Sequence, residues 1–290
     1  MRHKIKGCWD AQAYDQISYL VQYRWGQQVI ELRSWHGNEI VMDAGCGTGL
    51  LTRDLAKKVP NGRVYAVDID SNMIEKARIN LQCFDNVEIV QSSFTDVKLP
   101  RKVDVIFSNS AFHWVQDHRK AFQSLWGMLT KSNKVDDAND SSRTDTSSQL
   151  LIQCGAYGNL QHTITVLERI AHSPQFKAYF TDWRQPWHFA KPDETDRLLE
   201  EAGYVSRNVR STKDSVVFPN RNVYTKFVKT VIMKSYLEHL SANNNNSNDD
   251  ERLKALFFDM FLDEIKKYSN RLEGQLRLDF VRLNIVAYIP

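Results

Sequence analysis

The sequence has no apolar run of about eighteen residues, so none of it reads as a membrane-spanning helix. The opening stretch "MRHKIKGCWDAQ" carries basic residues but no apolar h-region after them, which argues against a secretory leader. Cysteine is scarce. Cys8, Cys46, Cys83 and Cys154 lie far apart with no CxxC pair, which excludes a disulfide framework and a zinc motif and favours a reducing, cytoplasmic setting. Each cysteine is expected as a small buried apolar residue. Net charge is also small, at +3, and spread along the chain, whereas nucleic-acid binding calls for a clustered basic face. Glycine is sparse too. There are twelve in 290 residues, yet Gly45, Gly47 and Gly49 fall within five positions of one another.

What is present is an ordinary globular composition, 42% hydrophobic and 25% charged, arranged as alternating short apolar runs and helical periods. The runs "EIVMD" (39–43), "RVYAVD" (63–68), "NVEIVQ" (86–91), "KVDVIFSN" (102–109) and "QLLIQC" (149–154) read as strands. Their near-continuous apolar character suits burial on both faces of a parallel sheet. "LDFVRLNIVAYI" (278–289) reads as a long last strand. Between strands, 71–82 is helical, with Ser71 or Asn72 as cap. The stretch 192–203 places Pro192 at a helix start and Gly203 just past its end. Helices are expected at 222–240 and at 251–268, the latter with an apolar stripe of Leu253, Leu256, Phe257, Met260 and Phe261. Residues 10–35 read as an amphipathic helix or helix pair in which Tyr14, Ile17, Val21 and Trp25 fall near helical spacing. Two polar stretches, 131–149 and 241–250, read as flexible insertions too poor in apolar residues to offset their ordering entropy. The fold class is α/β, a mostly parallel sheet flanked by helices.

The glycine loop, "EIVMDAGCGTGLL", follows a strand and opens a helix. That is where open α/β sheets bind ligands. Its GxGxG spacing puts the third glycine one position short of the dinucleotide fingerprint. Asp43 is a poor neighbour for a pyrophosphate and a good one for a cation. Asp68 closes the second strand twenty-five residues later, where an acid can take two ribose hydroxyls. A nucleoside that also carries positive charge is S-adenosylmethionine.

These residues, with "VMDAGCGTGLLT" (41–52), "GRVYAVDIDSNMIEKAR" (62–78), "NSAFHWVQDH" (109–118), "PWHFAKPDETDRLLEEAGY" (186–204) and "DFVRLNIVAYI" (279–289), resemble the class I S-adenosylmethionine-dependent methyltransferases. Within that class the chain is most similar to the trans-aconitate methyltransferase group and, more distantly, to the juvenile hormone acid methyltransferases. The resemblance implies one Rossmann-like domain over 1–290, with seven strands, the last antiparallel, a helical N-terminal cover over 1–35 and a helical lid over 155–185 and 220–273. It implies that Asp43, Gly45, Cys46, Gly47 and Gly49 line the methionine and ribose. It places Asp68 on the ribose, Ile69, Met73 and Phe94 about the adenine, and the backbone around Ser108 and Asn109 at the methionine ammonium. An acid usually begins the segment "SSFTDV"; here Ser93 stands there. The Pro-Gly-Gly turn usual before the fifth strand is replaced by the polar insertion.

The implied reaction is O-methylation of a small acidic molecule by a monomer without a metal. Gln22 and Trp114 would hold the acceptor carboxylate, His113 would stand beside them, and Arg184, Trp187, Tyr157 and Arg282 would complete the pocket. Two other readings remain open: methylation of a hydroxyl, amine or carbon, with His113 as base, and a non-catalytic S-adenosylmethionine-binding protein.

Overall fold

The computed structural model describes residues 19–131, 148–244, 249–270 and 276–290. Tyr14, Ile17 and Cys8 lie outside these residues, as do 132–147 and 245–248 of the two polar stretches.

The chain divides into two compact units. The first takes in the chain to residue 157, with 187–212 and 282–290; the second comprises 158–186 and 213–281. A single π turn, Tyr19–Tyr23, runs into α1 (Arg24–Ile30). There follow β1 (Ile40–Ala44), α2 (Leu50–Lys58), β2 (Arg63–Asp68), α3 (Ser71–Leu81), β3 (Val87–Gln91), β4 (Val105–Asn109), α4 (His118–Met128) and β5 (Gln149–Gly155). The rest is α5 (Gln161–Ala171), α6 (Pro192–Ala202), β6 (Val205–Val217), α7 (Arg221–Phe227), α8 (Lys234–Ala242), α9 (Asp250–Asn270) and β7 (Arg277–Tyr288).

The strands form one seven-stranded sheet in the order β3-β2-β1-β4-β5-β7-β6. β1 pairs in parallel with β2 and with β4, and β7 runs antiparallel to β5. The expected sheet is therefore present. Val41, Met42, Val64, Ala66, Val105, Phe107, Leu151 and Ile152 are buried in its central strands. This double-sided burial is what the apolar runs announced. β6 was not among the expected strands. Its sequence, VSRNVRSTKDSVV, is polar and largely exposed, so it carries no strong period-two signal.

Local details differ from expectation in three places. The cap of α3 is Asp70, which accepts from the backbone N–H groups of Asn72 and Met73, rather than Ser71 or Asn72. An aspartate one residue earlier is the stronger cap because its carboxylate reaches two otherwise orphan donors. The buried stripe of α9 is Phe257, Phe261 and Ile265, at helical spacing, while Leu256 is exposed. Cys46 and Cys154 are buried, but Cys83 is exposed. Pro192 and Gly203 (φ +95°) bound α6 as read.

Candidate active site

The strand order reverses between β2-β1 and β4-β5, which opens a crevice beyond the carboxyl ends of β1 and β4. The cleft found there is lined by Gln22 and Tyr23 from the N-terminal turn, Asp43, Gly45, Cys46, Gly47 and Thr48 of the glycine loop, Leu50 and Leu51, and Phe107, Asn109 and Ser110 of β4 and its end. Ser110 holds φ +56°, uncommon outside glycine, and its N–H donates to Gln153 O.

The three glycines are there for different reasons. All have positive φ: +83° at Gly45, +55° at Gly47 and +86° at Gly49. A Cβ on Gly45 would lie 2.3 Å from the Cβ of Ala111, and one on Gly49 2.7 Å from Leu81 Cδ1. The protein's own atoms thus exclude side chains at these two positions. Among the described residues, a Cβ on Gly47 would meet nothing within 4 Å. Only Gly47 presents bare backbone to open space, so it is the position where a ligand can approach.

The loop is fixed from the second strand. Gly45 and Cys46 donate their N–H groups to Val67 O, at 2.8 and 2.9 Å. Gly47 N donates to Asp68 Oδ2 at 2.9 Å, while Asp68 Oδ1 accepts from Asp70 N at 2.9 Å. Each oxygen retains acceptor capacity. Burial raises the Asp68 pKa, and these backbone donors oppose the shift. Ile69, beside it, is an exposed apolar side chain, while Met73 is buried. Phe94 stacks on Phe112 at 6.1 Å between ring centres, and its ring lies 3.3 Å from where a Cβ of Gly45 would be. Ser93 is committed locally: its hydroxyl bonds Thr95 Oγ1 at 2.7 Å and Asp96 Oδ2 at 3.3 Å. The carboxylate of this turn is Asp96, which the sequence reading passed over.

Asp43 is buried and accepts from Thr52 Oγ1 at 2.6 Å. Burial pushes its pKa up to about 7, with the Thr52 bond opposing and Asp68 adding to the rise. The sign for stability follows. The folded form binds its proton more tightly than the unfolded chain, so the contribution is present at low pH and is lost as pH rises from about 4 towards 7. Relative to wild type, Asp43→Asn should therefore gain stability over that window, seen as a melting-temperature difference that widens from pH 4 to 7 in ligand-free protein. A constant difference would overturn this account. Cys46 is a buried thiol held well above its ordinary pKa by burial, so it adds bulk rather than a nucleophile.

Asn109 lies across the cleft. Its Nδ2 donates to Gln22 O at 3.0 Å, and its Oδ1 is buried with no hydrogen-bond partner among the described residues. Ser108 is turned away, its hydroxyl donating to Ala44 O at 2.7 Å.

The single turn Phe112–Trp114 carries His113 and Trp114. His113 Nδ1 accepts from Gly155 N at 3.2 Å, and burial holds its pKa down at about 3, with His118 adding to the shift. The ring is neutral and keeps its proton on Nε2. Trp114 meets Trp187 edge-on at 5.7 Å, and His113 and Trp187 lie 5.7 and 5.9 Å from Phe189. These four rings form one aromatic wall, of which Phe189 was not foreseen. The Arg282 guanidinium lies over Trp25, 4.8 Å from the ring centre, and bonds Gln28 Oε1 at 3.3 Å. Tyr157 is exposed under Lys191 Nζ, and Arg184 is exposed in the second unit.

The cleft suits a cationic nucleoside. Its lining holds an acid and an orphan acceptor and, among the described residues, no lysine, arginine or histidine. A pyrophosphate would find no counter-charge here. Among the described residues there is no His/Cys/Asp/Glu cluster able to hold a metal and no helix long and apolar enough to cross a membrane.

Residues 41–132 match the methyltransferase domain family. An uncharacterized methyltransferase of Schizosaccharomyces pombe is 25% identical over 200 residues, 68% of this chain and 70% of that protein. A malonyl-[acyl-carrier protein] O-methyltransferase of Priestia megaterium is 33% identical over 95 residues, so the match spans about a third of either chain (33% and 34%). Among solved structures, the YcgJ protein of Bacillus subtilis superposes with a TM-score of 0.56 at 14% identity, covering 92% of this chain and 98% of that one. Phosphoethanolamine N-methyltransferase 2 of Haemonchus contortus, solved with S-adenosylhomocysteine, gives 0.56 at 14% identity, covering 97% of this chain and 57% of that one. The trans-aconitate group is not singled out by these matches, which support the wider class. Sheet order and glycine loop agree with them: the chain is an S-adenosylmethionine-dependent methyltransferase whose match to the methyltransferase domain spans residues 41–132.

Proposed function

We propose that this methyltransferase esterifies a carboxylate of a small organic acid, of the trans-aconitate kind. The observation that carries the reading is His113. Its Nδ1 is occupied by the Gly155 N–H and its pKa is depressed to about 3, so at neutral pH it can donate from Nε2 but is a poor base. An acceptor that is already an anion fits such a site. A carboxylic acid with a pKa near 4 is ionised at pH 7 and has no proton to surrender.

The bound donor supplies an electrophilic methyl group on a sulfonium. The chain's own residues do the rest. Gly47 offers bare backbone, Asp68 offers two oxygens to the ribose hydroxyls, and Ile69, Met73 and Phe94 offer apolar surface to the adenine. Trp114, the Nε2–H of His113 and the half-buried Gln22 would hold the acceptor oxygen in line and keep water out. As the new O–C bond forms, the old S–C bond breaks and its electron pair stays on sulfur. The Priestia megaterium relative is named as a malonyl-[acyl-carrier protein] O-methyltransferase, which supports the acceptor class over a third of the chain only.

A screen of small carboxylic acids with radiolabelled S-adenosylmethionine tests the reading. The expected product is a monomethyl ester cleaved by mild alkali; an alkali-stable product would point to an amine or carbon acceptor. At saturating acid, turnover should show no inflection near pH 6–7. His113→Gln, which still offers a donor, should keep most activity, whereas Trp114→Ala should lose about tenfold or more by freeing the acceptor from its pose. A dead His113→Gln enzyme that still binds both ligands would overturn the proposal in favour of base catalysis.

A further inference from the structure

Two histidines stack behind the aromatic wall, and the methyl transfer leaves both unused. His118, the first residue of α4, is 2% exposed, its ring packed by Phe112 at 4.7 Å and Phe122 at 6.1 Å. A phenylalanine would fill this place without the cost of burying a polar ring. The histidine bonds Phe112 O through Nε2 at 3.2 Å, and its face lies on the ring of His188, 4.2 Å between centres and 21° from parallel. His188 Nδ1 bonds Gln116 O at 3.2 Å. A carbonyl can only accept, so each of these two nitrogens carries a proton. The backbone is tied as well: His188 N donates to His113 O at 2.8 Å, and Tyr157 N to Ala190 O at 3.0 Å. Residues 187–190 form neither helix nor strand, so contacts of this kind fix their place. Neighbours in an extended chain point to opposite sides. His188 turns to His118, while Trp187 and Phe189 stack on one another at 5.9 Å and meet Trp114 and His113.

We infer that His188 is a positioning residue: through its stack on His118 it clamps residues 187–189 onto the turn of His113 and Trp114, and so sets the wall against the acceptor. The inference rests on the acceptor side proposed above. The stack also explains why a histidine stands at 118. One ring of the pair can carry a charge, since Glu194 of α6 lies 3.7 Å from His188 Nε2. Two adjacent cations would repel. The other ionisable groups about His118 are Asp117 at the cap of its own helix, which favours its proton, and His113 of the turn, whose pKa burial and then His118 hold down. Burial, then the facing His188 ring, holds the His118 pKa at about 4. The clamped form therefore binds fewer protons than the released one. Its hold is full above about pH 6.5 and is lost as pH falls towards 4.

Calorimetry with S-adenosylhomocysteine and turnover with trans-aconitate read the two sides separately. His188→Ala should bind S-adenosylhomocysteine within about twofold of wild type but lose about tenfold or more in kcat/KM for trans-aconitate, because the acceptor's pose is loosened. His188→Phe keeps the stack and gives up the Gln116 bond, so it should recover most of that loss; His188→Asn keeps a donor for Gln116 without a ring and should not. Equal losses of donor affinity and turnover in His188→Ala, or rescue by asparagine instead of phenylalanine, would overturn the inference. If trans-aconitate is not methylated by wild type, that counts against the acceptor class, and hydrogen exchange on ligand-free protein decides the clamp. The amides of residues 113–118 and 187–190 should lose protection by about tenfold or more relative to β2 between pH 7 and pH 4, after correction for intrinsic rates. His118→Phe keeps a stacked ring that cannot titrate and should remove most of that loss. No loss in wild type, or the same loss in His118→Phe, would overturn the clamp.

Discussion

Gly45→Ala should cost roughly 2–5 kcal/mol of stability, whereas Gly47→Ala should leave a folded protein that no longer binds its donor well. The two variants add the same methyl group two residues apart, and the difference lies in what that methyl meets. At Gly45 it would sit 2.3 Å from Ala111 Cβ, an atom fixed by its own backbone that cannot rotate aside. Positive φ costs an alanine roughly 1–2 kcal/mol, and overpacking of a core adds about 1–3 kcal/mol. At Gly49 the clash is with a leucine methyl, which can move, so Gly49→Ala should fall between the other two. At Gly47 the strain of φ +55° remains, but the methyl enters open space. It would occupy volume that the donor needs, and S-adenosylhomocysteine affinity should fall by about tenfold or more, the equivalent of one lost charged hydrogen bond. Thermal melts and calorimetry on the three variants check this. If Gly47→Ala melts as low as Gly45→Ala, or binds S-adenosylhomocysteine like wild type, the division of roles within the loop is wrong.

That division also marks how far the sequence could be read. Three glycines in alternation after a buried strand located the loop that lines the cleft, because positive φ at closely spaced positions leaves few other choices. The sequence could not say which glycine faces the ligand. Ala111 and Leu81, which exclude side chains at Gly45 and Gly49, are 66 and 32 residues away in the chain (111 − 45 and 81 − 49). The parallel core was legible because burial on both faces writes itself as an apolar run; β6, half in water, left no such trace. Ser93 was singled out for standing where an acid was expected, but only the turn geometry shows its hydroxyl bonded to Thr95 and Asp96. His113 was an open candidate for a base. In the fold its Nδ1 accepts from the Gly155 N–H, from a strand that lies beyond a long polar insertion. The orphan oxygen of Asn109 had no sequence signal, since it is a property of what fails to reach it.

Asp68→Ala should weaken S-adenosylhomocysteine binding by about 10–150-fold, the equivalent of roughly 1.5–3 kcal/mol for hydrogen bonds to a charged group. The carboxylate has two tasks, and they must be separated. It organises the protein by accepting from Gly47 N and Asp70 N, so part of the loss will reflect a loosened glycine loop. The remainder should come from the ribose hydroxyls that we propose it holds. A ligand lacking the 2′-hydroxyl isolates that part. The 2′-deoxy analogue of S-adenosylhomocysteine should bind wild type more weakly than the parent compound, while Asp68→Ala should bind the two alike, because the partner of that hydroxyl is gone. If the deoxy penalty is the same in both proteins, Asp68 supports the loop and does not touch the ribose. The pH dependence adds an independent check. Burial raises the Asp68 pKa, so the charged form that accepts two hydroxyls is lost at a higher pH than for an ordinary aspartate. Affinity for S-adenosylhomocysteine should therefore fall as the solution is acidified, and the Asp68→Ala protein should lack that component of the fall.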